Sequence, residues 1–290
     1  MSAAMNANRG AKIILHSLER SRSQRILWLL TELNLTYEIR PYKRDAQQRS
    51  PPSLKDLHPL GKAPVLSIAP AANKPALLLA ESAVIVEYLV DHFPPPAAPP
   101  AAPPAVATKS DPAEDQAGFK SGLTTPPRWE AGQEGQVGGE TEAWLRYRYL
   151  MHYAEGSLMP LVVTRIVMDA VKTAPAPFFV KPLLGIVPAI VNKEYTRPNL
   201  DTHFTFLEGQ LTPTTTTTTT SPRSYLTGSQ FTPVDILMSY PLVIADEINA
   251  IDPLRFPRLK AYVQALREME GYRRAVRVLE DVEGQKYRPF

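Results

Sequence analysis

The order of apolar and polar positions divides this chain into segments with different periods. Residues 12–18 (KIILHSL) form an apolar run of strand length, which reads as a buried strand. From Ser21 the period changes. Ile26, Leu29, Leu30 and Leu33 recur at i, i+3, i+4 and i+7, so they share one face of a helix, and Asn34 suits its left-handed stop. Residues 36–41 (TYEIRP) alternate like a half-buried strand. Residues 42–58 are polar and carry Pro51 and Pro52, which predicts a loop with at most a short helix. Gly61 and Pro64 punctuate the entry to a short strand at 65–68. Leu77 to Leu79 make another, and Glu81 to His92 a helix with Val84/Tyr88 and Ile85/Leu89 paired at i, i+4. The order is strand, helix, strand, loop, strand, strand, helix, a compact α/β unit.

This patterning stops at Pro94. Every residue from 94 to 104 is Pro or Ala, and the rest up to 140 is rich in Gly, Pro, Gln, Ser and Thr. Such a stretch has too little apolar surface to offset its ordering entropy, so residues 94–140 are expected to be a disordered or partly polyproline insert or linker. Helical patterning returns at 141, where Trp144, Tyr147 and Met151 share a face. Residues 175–191 (PAPFFVKPLLGIVPAIV) are strongly apolar but interrupted by prolines and Lys181. They read as core or pocket lining, with an interfacial membrane contact as the alternative. Thr214 to Thr220 read as a low-complexity loop. At 231–245, Thr232 stands at an N-cap position with Pro233 first and Asp235 third in the helix. The Thr232 hydroxyl can accept from the Asp235 amide, and the Asp235 carboxylate from Thr232 N–H. Asp235 is therefore a cap rather than a catalytic acid, and Phe231 can staple onto Ile236. A helix at about 257–270, another near 272–280 and a polar tail complete the chain.

Composition narrows the chemistry. The 290 residues suit one large domain or two smaller ones, and 44% hydrophobic with 21% charged residues is ordinary for a soluble fold. The absence of cysteine excludes disulfides, thiolate metal sites and a protein-thiol nucleophile. A net charge of +3 is small for a nucleic-acid binder. Arg20, Arg22 and Arg25 read as arginines on a solvated helix rather than a phosphate site. A mildly basic surface favours a small anionic substrate. The segment MSAAMNANRGAK lacks the apolar core of a secretory signal, and no stretch approaches the length of a spanning helix.

An α/β unit of this order followed by helices resembles the glutathione transferase superfamily. HSLERSRSQRILWLLTELNLTYE at 16–38 looks like the family's first strand, catalytic turn and first helix. HPLGKAPVL at 58–66 looks like its loop into the cis-proline strand, Glu81–Ser82 like the opening of the next helix, and 231–245 like the capped buried helix of the helical domain. SRSQRILWLL with PYKRD is most similar to serine-type members of fungi and bacteria, including the yeast-type branch. The resemblance implies an α/β thioredoxin-like glutathione-binding domain at 10–93, the insert at 94–140 and an all-helical substrate-binding domain at 141–290. It implies glutathione as co-substrate, an apolar electrophile as second substrate, hydroperoxide reduction as a further activity, a homodimer and a cytoplasmic setting. A non-catalytic scaffold is the alternative. A thiol oxidoreductase would need a cysteine at the catalytic turn.

In that family the thiol of glutathione is the nucleophile, and the protein must hold it as a thiolate. A hydroxyl donor and a helix N-terminus both favour the anion. By family spacing Ser21 is the hydroxyl that donates to the sulfur, with Ser23 as the alternative. His16 lies where tyrosine-type members carry their tyrosine, and no tyrosine occurs in 12–36. The resemblance assigns Ala63, before a cis Pro64, to backbone pairing with the cysteinyl unit, and Lys62 to the glycyl carboxylate. Glu81 is assigned to the γ-glutamyl ammonium and Ser82 to its carboxylate. Tyr147, Met151, Phe178 and Phe179 are candidates for lining the electrophile pocket.

Overall fold

The computed structural model describes residues 7–70, 74–94, 122–211, 214–216, 219–221 and 225–290. They pack as two compact units that do not follow chain order. One comprises Met1–Thr125, Gln230–Ile236 and Glu268–Phe290; the other comprises Pro126–Ser229 and Leu237–Arg267.

In the first unit, β1 (Lys12–Leu18), β2 (Glu38–Tyr42), β3 (Val65–Ala69) and β4 (Leu77–Ala80) form one sheet in the order β2-β1-β3-β4. β1 and β2 are parallel, and β3 runs antiparallel to both β1 and β4. A parallel pair needs a crossover, which α1 (Ser23–Glu32) supplies. The short α2 (Ser53–Leu57) precedes β3, and α3 (Ser82–His92) follows β4. Ile13, Leu15, Leu66 and Ile68 carry the core of the sheet. Asn8 anchors the chain before β1: its side chain donates to the carbonyls of Ala11 and Thr36 and accepts from Thr36 N–H.

The one-sided helix expected at α1 is buried on every side. α1 lies against β1 and also against α10 (Glu270–Glu283), the last helix of the chain. Trp28 meets Tyr272 edge-on at 5.3 Å between ring centroids and stacks on Phe231 at 5.7 Å. Its indole N–H donates to Glu32 Oε1 at 2.8 Å. Arg25 is fully buried, which overturns the reading of the local arginines as a solvated set. A single helix shows its own apolar stripe; it does not show that a second element will cover its polar side.

Residues 122–140, expected within a disordered insert, are folded, while 95–121 lie outside the described residues. Leu123 is buried, and Thr124 N–H donates to the Phe231 carbonyl at 2.9 Å. In the second unit, three consecutive turns run from Glu130 to Gly139. The N–H groups of Gln133, Gln136 and Gly139 each donate to the carbonyl three residues back. Gly132, Gly135 and Gly138 stand at φ 79, 77 and 79, the left-handed corner that type II turns require. The backbone thus satisfies its own polar groups locally, where composition shows only a shortage of apolar side chains.

The rest of the second unit is mainly helical. α4 (Glu142–Tyr153) continues through a π turn at Ala154–Leu158 into α5 (Met159–Lys172). α6 (Lys181–Val191) continues through a second π turn at Asn192–Thr196 into α7 (Arg197–Gln210). Pro160 and Pro198 sit in the first turn after each π turn; a wider turn accommodates a ring that has no N–H to donate. Thr141 caps α4 by accepting from Trp144 N–H at 3.1 Å. Leu150, Met151, Val162, Phe204 and Leu207 are core residues. Glu208 on α7 accepts the N–H groups of Arg258 and Leu259 at the start of α9 (Pro257–Glu268), where a carboxylate meets the positive helix end. The threonine run is not all loop: β5 (Thr214–Thr216) pairs antiparallel with β6 (Thr219–Ser221).

α8 (Pro233–Glu247) begins where the sequence placed it, but the Thr232 hydroxyl donates to the Asp235 carboxylate instead of accepting the Asp235 amide. Thr232 N–H and Oγ–H each donate to Asp235 Oδ2 at 2.8 Å, and Asp235 N–H donates to the Thr232 carbonyl at 3.0 Å. The 175–191 segment departs from its expected core role, because α6 buries only Pro188. Among the described residues, no helix is long and apolar enough to cross a membrane.

Candidate functional site

Strand register assembles the site. His16 of β1 faces Val65 of β3, and Val65 also faces Ala80 of β4. Neighbouring strands lie about 4.8 Å apart, so this row spans ~10 Å. β1 and β4 end, and β3 begins, at the same end of the sheet. Pro64 immediately precedes Val65, Glu81 and Ser82 follow Ala80, and Ser21 follows the end of β1 by three residues. Ser21, Lys62, Ala63, Glu81 and Ser82 are thereby gathered at one sheet end, all within the first unit.

Ser21 belongs to the turn before α1, two residues before the helix begins, rather than to the helix itself. Its Oγ donates to the Leu18 carbonyl at 2.5 Å, lies 2.9 Å from Ser23 Oγ, and accepts from Ser23 N–H at 3.2 Å. Because the Ser21 proton goes to the carbonyl, the Ser23 hydroxyl is the donor between the two serines. The α1 amides add partial positive charge beside the turn. Arg44, in the loop after β2, braces the same turn. Its Nε donates to the Glu19 carbonyl, its Nη2 to the Arg20 carbonyl (both 3.2 Å), and its N–H to Glu19 Oε1 at 2.7 Å. Sequence reasoning assigned Arg44 no role, although it had marked PYKRD as a motif.

The Ala63–Pro64 bond is cis, as the resemblance implied. Ala63 lies before the first paired residue of β3, and Lys62 is exposed beside it. Gly61 has φ 56, and a Cβ there would come within 2.8 Å of Lys55 Cγ. Its carbonyl accepts from Ser50 Oγ at 2.8 Å, so glycine is required to bring this loop into the strand. Glu81 is exposed and stands at φ 68, ψ 120, a conformation costing roughly 1–3 kcal/mol for a non-glycine residue. Such strain persists where surrounding structure over-determines it and concentrates at ligand clamps. Ser82 is buried as the first residue of α3.

His16 is a packed strand residue. Its Nδ1 pairs with Tyr42 Oη at 3.0 Å and its Nε2 with Ser67 Oγ at 2.9 Å. Burial, then the charge of Arg40, hold its pKa below the ordinary histidine value. The four pocket candidates lie in the second unit. Tyr147 and Met151 are buried in its core, whereas Phe178 and Phe179 are exposed and meet edge to face at 5.6 Å.

Residues 12–91 match the glutathione S-transferase N-terminal domain family, a stretch containing all five gathered residues. Along most of its length the chain is similar to glutathione S-transferase 1 of Saccharomyces cerevisiae, with 29% identity over 260 residues, 90% of this chain and 92% of that protein. Glutathione S-transferase 3 of Schizosaccharomyces pombe is 27% identical over 274 residues, 93% of this chain and 88% of that one. A glutathione transferase of Phanerochaete chrysosporium, solved with oxidized glutathione, shares the fold at a TM-score of 0.59 and 16% identity, covering 95% of this chain and 98% of that one. Over about nine-tenths of its length the chain is thus similar to proteins named glutathione S-transferase.

Proposed function

We propose that the protein is a serine-type glutathione transferase that joins the glutathione thiolate to apolar electrophiles and reduces organic hydroperoxides with the same thiolate. The observation that carries this reading is the strand register, which collects Ser21, the cis Ala63–Pro64 bond and Glu81–Ser82 at one sheet end. The names of the two yeast relatives and the glutathione held by the Phanerochaete enzyme support it. Glutathione lies extended along the start of β3. Ala63 pairs with its cysteinyl backbone, Lys62 meets the glycyl carboxylate, Glu81 takes the γ-glutamyl ammonium, and Ser82 with the first α3 amides takes the adjoining carboxylate.

The Ser21 hydroxyl rotates from the Leu18 carbonyl to the sulfur and stabilises the thiolate without losing its proton. Ser23 Oγ–H and N–H continue to donate to Ser21 Oγ, which makes Ser21 a better donor. Sulfur then bonds the electron-poor carbon as a halide leaves with the bonding electrons. The helical part supplies the electrophile site. A symmetric homodimer in the cytoplasm completes the reading, the cysteine-free sequence suiting a reducing compartment.

The test is conjugation of a generic aromatic halide, paired with glutathione calorimetry. Ser21→Ala should retain binding and lose about 10²–10³-fold in turnover, as for removal of one donor to a developing anion. It should also raise the pKa of the bound thiol toward about 8.5. Glu81→Gln should weaken glutathione binding itself. If Ser23→Ala removes turnover while Ser21→Ala does not, Ser23 is the sulfur donor. Binding without turnover of halide or hydroperoxide would mark a scaffold.

A further inference from the structure

A helix in a globular protein normally turns its apolar stripe inward. α6 is apolar on the side it packs, at Leu184, Pro188 and Val191, and on its outer side as well. Leu183, Ile186, Val187 and Ile190 recur at i, i+3, i+4 and i+7, and each is between 53% and 58% exposed. Phe178 and Phe179, just before the helix, are 83% and 68% exposed. An uncovered apolar face of this length requires an occupant.

The charges around it identify the occupant. Residues 170–193 contain no aspartate or glutamate, but carry Lys172, Lys181 and Lys193. Lys172 and Lys193 touch carboxylates only at the margins, Asp169 and Glu194, and Lys181 stands exposed between the phenylalanine pair and the apolar stripe. Apolar side chains flanked by lysines, with an aromatic pair at one end, complement the headgroup boundary of an anionic lipid surface: the rings and aliphatic chains enter, and the ammonium groups stay among the phosphates. At 11 residues α6 is too short to span a bilayer.

We propose that Phe178, Phe179 and the outer face of α6 form an interfacial anchor that lays the second unit on anionic lipid. Association is reversible, since one short face of this kind binds weakly. The inference does not depend on the catalytic reading, because none of these residues belongs to the sheet-end site.

The full chain is floated with vesicles of phosphatidylcholine alone and of phosphatidylcholine with phosphatidylserine, at low and high salt. The native protein should partition onto the anionic vesicles, less so at high salt. The double variant F178S/F179S should lower that partition at least about tenfold through lost apolar burial. Lys181→Glu should lower it on anionic vesicles by about thirtyfold, two unit charges being changed near the surface. Circular dichroism and glutathione binding of both variants should match the native protein, which excludes misfolding as the cause. Absence of native partition, or an unchanged partition in F178S/F179S, overturns the proposal. So does a native mass in light scattering that falls to half in F178S/F179S while vesicles capture nothing, which would make this face a contact between copies.

Discussion

Gly271 of α10 lies directly against Trp28 and Glu32 of α1. A Cβ at this position would stand 2.0 Å from Glu32 Oε1, 2.7 Å from Trp28 Nε1 and 2.9 Å from Glu32 Cδ. Gly271→Ala pits two effects of opposite sign against each other. Helix propensity alone favours alanine by ~1 kcal/mol. Against that, the indole is rigid and held between Phe231 and Tyr272, and Glu32 is buried and committed to the Trp28 N–H. Forcing a methyl group into a packed core costs about 1–3 kcal/mol, and losing a hydrogen bond to a buried charged acceptor costs about 1.5–3 kcal/mol. Contact wins, and the net loss is about 1.5–5 kcal/mol. The thermal midpoint of Gly271→Ala should therefore fall by roughly 5–10 °C. Combining it with Glu32→Ala should give less than the summed losses, because the two sites share one contact. A Gly271→Ala protein as stable as the native chain, or more stable, would refute the close-approach argument and leave propensity as the governing effect.

Asp235→Ala should destabilise the protein by about 2–4 kcal/mol in urea unfolding, since it removes the buried carboxylate that accepts from Thr232 N–H and Oγ–H; a loss of turnover at unchanged stability would instead make Asp235 part of the chemistry. Arg44→Ala should leave the overall fold intact and lower turnover more than glutathione affinity, because the guanidinium braces the carbonyls of the Ser21 turn; equal loss of both would show that it acts on binding. His16 and His203 are held below the ordinary histidine pKa, His16 by burial and then Arg40, His203 by burial. The unfolded chain then binds more protons than the folded one in mildly acidic solution. The stability they contribute is present above about pH 6.5 and is lost as pH falls through their lower folded values. Urea midpoints should drop from pH 7 to about pH 5, and His16→Gln should flatten the drop.

Features written in local periodicity and local chemistry were legible along the chain. The succession of strands and helices along the first unit followed from where the apolar period changed, while the sheet order did not. The start of α8 was legible because Thr232, Pro233 and Asp235 form a local helix-start pattern in which the Asp235 carboxylate accepts the Thr232 N–H. Motif order, through the family resemblance, marked Ser21, Ala63, Glu81 and Ser82. Which faces meet depends on contacts between elements far apart in the chain. α1 looked one-sided because its polar side is covered by α10, from the far end of the chain, and neither helix carries a local mark of that pairing. The turns at 130–139 depend on backbone hydrogen bonds that composition does not show. The apolar stripe of α6 looked like core because period reports which side chains share a face, whereas the direction of that face is set by the elements that pack behind it. The same limit applies at the site: spacing marked Ser21 as the donor, but only the folded turn shows its proton on the Leu18 carbonyl with Ser23 behind it.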